Sequence, residues 1–259
     1  MRNVVRNCWV KSSFKTPDSQ RNYGSGLPSR NGHGLKWREL AQKTPECRDG
    51  PPGDFFHPGQ AYTDGRVLVQ DHDFVTSQQR LVPYGVYDVR RNEGLLRLAC
   101  GADTCELARD AIWSWWQRLG RQHYWYAPRL LLLCDCGGSN SNRQQRFKQE
   151  LCELAADRRC DIRVAHYPPG CSKYNPIEHR LFCHVSRSLR AVVLKTIEVA
   201  KTFIARTTTA TGLRVVAEIA RRSYERGVKA TPEFLDHNPI RFDRFLPQLN
   251  YTAPWINLL

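Results

Sequence analysis

The chain has 259 residues, 41% hydrophobic and 10% aromatic, which suffices for one large domain or two small ones and excludes a chain disordered throughout. Lys and Arg outnumber Asp and Glu by 39 to 25, a formal net charge of +14; this points to a polyanion such as nucleic acid, the plainer alternative being a basic, solvated surface. The longest apolar runs are far too short to span a bilayer, no secretory leader is evident, and none of the ten cysteines forms a Cys-x-x-Cys pair. The expectation is therefore a cytoplasmic protein with reduced, mostly buried thiols and no membrane partner.

Residues 1–48 are rich in Arg, Lys, Ser, Asn, Gly and Pro and show no period of 2 or 3.6. They read as an irregular or disordered basic segment, followed by a domain over 49–259. Residues 66–70, 81–89 and 95–99 read as an antiparallel meander, with Asn92-Glu93-Gly94 as a turn and Pro83 marking an edge or a strand start. A helix follows, with Asp103 as its cap and Glu106 three residues on. Its apolar stripe is Leu107, Ala111, Ile112, Trp115, Trp116 and Leu119, so the tryptophans belong to the core before they belong to any ligand.

Residues 130–134, four leucines and a cysteine, read as a central strand covered on both faces. A helix over 142–157 turns Phe147, Leu151 and Leu154 inward, and 161–166 is the next strand. Asn175 then caps a helix with Pro176 at its first position and Ile177, Leu181, Val185 and Leu189 as its buried stripe. Residues 192–206 read as a helix, 213–226 as containing a short helix or strand, and the tail to Trp255 as a packed extension. A meander followed by alternating helices and strands gives a mixed α/β sheet with helices on both faces, for which the ribonuclease-H-like fold is one solution.

Asp135 sits at the tip of the apolar strand, before Gly137-Gly138-Ser139-Asn140. A carboxylate there suits a hard cation; the alternative is a turn-forming Asp. Glu178 falls at the third position of the helix capped by Asn175, where Glu commonly supports the helix start, or it is a second metal ligand facing Asp135. Lys173, His179 and Arg180 around it suit contacts to DNA phosphate. His179 and His184 lack a third zinc ligand, Cys134 and Cys136 lack an oriented base, and Asp71-His72-Asp73 falls at the wrong end of the sheet.

Long collinear stretches resemble the DDE-type transposases of bacterial insertion sequences, specifically the ISAzo-thirteen family. They are Gly53-Asp-Phe-Phe-His-Pro-Gly59, Asp71-His-Asp-Phe74, Pro83-Tyr-Gly-Val-Tyr-Asp88, Arg91-Asn-Glu-Gly94, Leu131-Leu-Leu-Cys-Asp-Cys-Gly-Gly-Ser-Asn140, His166 to Arg180, Thr209-Ala-Thr-Gly-Leu213 and Phe242 to Tyr251. The resemblance implies a ribonuclease-H-like catalytic domain with Mg²⁺ or Mn²⁺, two ions in the intact family. It implies metal-dependent DNA cleavage and strand transfer in transposition. Asp135 and Glu178 become the second and third acids of a triad, transposon ends and target DNA the partners, and a homo-oligomer on nucleoid DNA the acting form. The first acid belongs on an apolar strand just upstream of Gly53. That place reads Leu40-Ala-Gln-Lys-Thr-Pro-Glu-Cys-Arg-Asp-Gly50, with Pro45 where the acid is due and Glu46 and Asp49 out of register. The expectation is a truncated or frameshifted copy, leaving open loss of the first strand; the alternative function is an inactive remnant that at most binds DNA through its basic surface.

Overall fold

The computed structural model describes residues 5–11, 55–56, 81–171, 174–190, 192–194 and 196–256, with backbone alone for 5–11, 55–56 and 193. In chain order come β1 (Val5–Lys11), β2 (Phe55–Phe56), β3 (Leu81–Asp88), β4 (Glu93–Cys100) and helix α1 (Cys105–Trp115). Helix α1 runs through a π-helical turn, Trp116–Gly120, into α2 (Arg121–Tyr124). Then follow β5 (Arg129–Cys134), α3 (Gln145–Arg158), β6 (Asp161–His166), a π-helical turn Glu178–Phe182 leading into α4 (Cys183–Ser188), β7 (Val193–Leu194) and α5 (Ile197–Ala205). The chain closes with β8 (Arg214–Ile219), α6 (Pro232–His237), β9 (Arg241–Phe242) and β10 (Asn250–Ala253).

Among the described residues eight strands form one mixed sheet in the order β8-β4-β3-β1-β5-β6-β10-β9, and β2 pairs with β7 in a second. Strands β3 and β4 make the expected hairpin, turning at Asn92 with φ 54°. Pro83 lies where β4 is the partner found for β3 among the described residues, a place that needs no second amide bond. The strand expected over 66–70 and the Asp71-His72-Asp73 cluster lie outside the described residues.

The central place is a correction to the sequence reading. Val5–Lys11, inside the segment expected to be irregular, lies between β3 and β5, antiparallel to the first and parallel to the second. The first-strand position is therefore filled, by a segment in which Arg, Asn and Lys interrupt the apolar residues and blur any alternation. The remainder of 1–48, with Pro45 and Glu46, lies outside the described residues, as does Asp49.

The sheet divides two cores, and its pleat decides which residue joins which. On one face Val82, Tyr84, Val86, Leu95, Leu130 and Leu132 pack with α1 and α3, including Trp115, Phe147 and Leu151. On the other, Tyr87, Leu96 and Leu98 pack under Ile177, Leu181, Val185 and Leu189. The helical stripes read from the sequence are the ones buried. Leu131 and Leu133 are only half-buried, so β5 is less covered on the second face than its composition suggests.

Two glycines let the second-face helix lie close to the sheet. A Cβ on Gly94 would stand 2.6 Å from Leu181 Cδ1, and one on Gly85 would stand 2.7 Å from Phe182 Cζ. Gly94→Ala is expected to lift that helix and cost about 1–3 kcal/mol, as overpacking does; urea unfolding measures it.

Candidate active site

Strand β5 ends at Cys134 and delivers Asp135 at its C-terminal tip, beside the end of the parallel strand β6 at His166. Tyr167 N–H donates to the Cys134 carbonyl at 2.8 Å and closes the two tips together. One Asp135 carboxylate oxygen accepts from the Asn175 side-chain amide at 2.6 Å. The backbone carbonyl of Asp135 accepts from His166 Nδ1 at 3.0 Å. A carbonyl cannot donate, so Nδ1 carries the proton and Nε2 accepts from the Tyr251 hydroxyl at 3.2 Å. Tyr251 is fully buried on β10, with Lys148 5.4 Å from its ring centre.

Burial pushes His166 down to about 4, helped by the Lys148 charge and opposed by its bond to the Asp135 carbonyl. The unfolded imidazole takes a proton near its ordinary 6.5 while the folded one stays neutral to about 4. Stability from this site is thus full above that ordinary value and is lost as pH falls toward 4. Wild type is expected to lose up to about 3 kcal/mol more across that window than His166→Gln, read from denaturant unfolding at several pH values.

Asn175, wholly buried, connects the two acids. Its side-chain amide holds Asp135, its side-chain oxygen accepts from Ile177 N–H at 3.2 Å, and its backbone carbonyl accepts from Glu178 N–H at 3.1 Å. The expected capping role is therefore real, and a second role is added to it. Glu178 opens a π-helical turn, a departure from α-geometry that recurs at functional sites. Asp135 and Glu178 are both half-buried.

His179 and Arg180 are exposed beside Glu178, and the Arg180 charge acts on the Tyr87 hydroxyl, opposing the upward push of its burial. Lys173 lies outside the described residues. Burial and the neighbouring Asp135 raise the Cys134 thiol far above its ordinary range, which fits packing rather than nucleophilic use. No disulfide joins the described cysteines: Cys105, Cys134 and Cys160 are buried, while Cys100 and Cys183 are exposed.

The turn after Asp135 is pinned from α1. Thr104, not Asp103, caps that helix, accepting from Leu107 N–H at 3.2 Å. Asp103 instead takes the Ser139 hydroxyl at 2.5 Å and its N–H at 3.3 Å. Sequence reading missed the supporting roles of Asp103, His166 and Tyr251. The spacing of Asp103 from its helix suited a cap equally well, and Tyr251 carries no local signal for its partner.

Two carboxylates with oxygen donors suit one hard divalent cation. Among the described residues no three His, Cys, Asp or Glu side chains gather as a metal site. Val5–Lys11 contains neither Asp nor Glu, and continuing its register sets residue 11, a lysine, level with Asp135. No helix among the described residues is long and apolar enough to cross a membrane.

The family model described as the Rhodopirellula transposase DDE domain matches residues 50–254. Neither a curated protein nor a solved structure matches the chain.

Proposed function

Because the chain belongs to the transposase DDE-domain family of the ISAzo-thirteen type, we propose that it acts on the DNA ends of an insertion sequence, cutting and rejoining phosphodiesters with Asp135 and Glu178 as its cation-holding carboxylates. The observation that carries this reading is Asn175, whose side chain holds one acid and whose backbone starts the helix bearing the other. Bound Mg²⁺ or Mn²⁺ would supply activation of a water or 3′-hydroxyl and charge neutralisation at the leaving oxygen.

The protein's own part is positioning. Asn175 and the His166–Tyr251 pair fix the carboxylate and the backbone of Asp135, which limits its motion toward a phosphate. Arg180 adds positive charge beside Glu178, His179 adds a hydrogen-bonding imidazole, and the net charge of +14 favours DNA over neutral substrates. Lys173 stands with them on sequence grounds. Element ends and target DNA are the partners, brought together by a homo-oligomer on nucleoid DNA in the cytoplasm.

A second reading, a remnant that binds DNA without cutting it, is favoured by the absence of any carboxylate in Val5–Lys11. Nicking of supercoiled plasmid and joining of a pre-cut oligonucleotide, each with Mg²⁺ or Mn²⁺, separate the two. Cleavage that disappears in Asp135→Ala and Glu178→Ala supports the first. Salt-sensitive binding without cleavage supports the second.

A further inference from the structure

The end of the sheet opposite Asp135 carries a second constellation that the acids do not use. Trp125 and Tyr126 follow α2 and are 75% and 52% exposed, their rings meeting edge to face at 5.5 Å. Trp255, 44% exposed, reaches the same end from beyond β10, where its backbone N–H donates to the Asp161 carboxylate at 2.9 Å. Asp161 also lies 3.8 Å from Arg129, whose side chain is half exposed, and the two residues are register partners at the starts of β6 and β5. Arg121 and Arg159 are exposed on the helices flanking this end. Three separate chain segments thus bring three exposed aromatic rings and three arginines to one end of the sheet.

Soluble surfaces seldom expose large aromatic rings together without use. Arg159 strengthens the point: it ends α3 with φ 54°, a conformation glycine adopts freely and a long side chain does not. The length of β5, roughly 20 Å at ~3.3 Å per residue, separates this surface from Asp135, so a phosphate there is not the one being cut.

We propose that this end binds nucleic acid with unpaired bases, the rings of Trp125, Tyr126 and Trp255 stacking on bases and Arg121, Arg129 and Arg159 meeting phosphates. Aromatic platforms interleaved with cations track single strands without sequence preference, whereas a duplex hides its base faces. A second copy of the chain fits less well, because it would bring arginines toward arginines on a protein of charge +14. The inference goes beyond the proposed function and needs neither the acids nor a cation.

The test is fluorescence anisotropy of labelled oligothymidylate with the full chain in EDTA, over a salt series. Trp125→Ala and Trp255→Ala are each expected to weaken binding by roughly 5- to 100-fold, with Trp125→Tyr restoring most of it. Arg159→Gly is expected to reduce the slope of log K against log salt by about 0.7 while leaving thermal stability equal or higher. A duplex of the same length should bind more weakly. Thermal melts of each variant establish that it is folded. The proposal is overturned if wild type fails to bind oligothymidylate, or if both tryptophan variants keep its affinity. It is equally overturned if they change only the sedimentation of the protein, which would make this surface a contact between copies. Absence of plasmid nicking leaves this binding untouched, so the two readings fail separately.

Discussion

Asp135→Asn is expected to lower metal-dependent DNA cleavage by at least about 10³-fold, and Glu178→Gln to do the same. A carboxylate that shares a cation with the reacting oxygens contributes several kcal/mol at the transition state, and each 1.36 kcal/mol is tenfold in rate. The amide substitution at 135 keeps an oxygen for the Asn175 amide to bond and keeps the volume, so the fold is retained while the charge is lost. That separates chemistry from stability, which alanine would not do cleanly. Single-turnover nicking with Mn²⁺, beside a Mn²⁺ titration by electron paramagnetic resonance, reads both rate and ion affinity. Cleavage that persists at wild-type rate in Asp135→Asn would remove Asp135 from the mechanism.

Asn175→Ala is expected to weaken Mn²⁺ binding by about 10- to 100-fold and to destabilise the fold by about 2–4 kcal/mol. The first figure is what removal of a group supporting a metal ligand typically costs. The second follows from losing a charge-assisted bond and leaving Ile177 N–H, in a wholly buried place, without its acceptor. Both effects should appear together, because one side chain serves both contacts. Asn175→Asp is the informative companion: it retains the acceptor for Ile177 N–H but sets a second carboxylate against Asp135. Without cation it should destabilise the fold, and added Mn²⁺ should recover part of the loss in a thermal melt. A variant that loses stability while keeping full ion affinity would confine Asn175 to its capping role.

The stripe from Ile177 to Leu189 and the one from Leu107 to Leu119 were legible because helical spacing is a long, redundant signal. The place of Asp135 at a strand tip was legible because four leucines and a cysteine announce a buried strand and the acid follows it. What could not be read locally was whatever depends on a distant partner. The segment Val5–Lys11 is made a central strand by neighbours on both sides, and its own mixture of Arg, Asn and Lys with apolar residues states no period. Asp103 and Thr104 are adjacent potential caps, and only the position of Ser139 decides between them. Asn175 showed its capping chemistry but not Asp135, forty residues earlier in the chain.

The placement of β1 also sets the order in which the molecule can assemble. Synthesised before both of its neighbours, Val5–Lys11 must remain unpaired until β3 and then β5 have emerged, since they flank it in the sheet. Its pairings close chain over long separations, which slows the step that completes the sheet. Until then β3 and β5 each present an open row of amides and carbonyls to any other strand at hand. Yield on refolding is accordingly expected to fall with protein concentration.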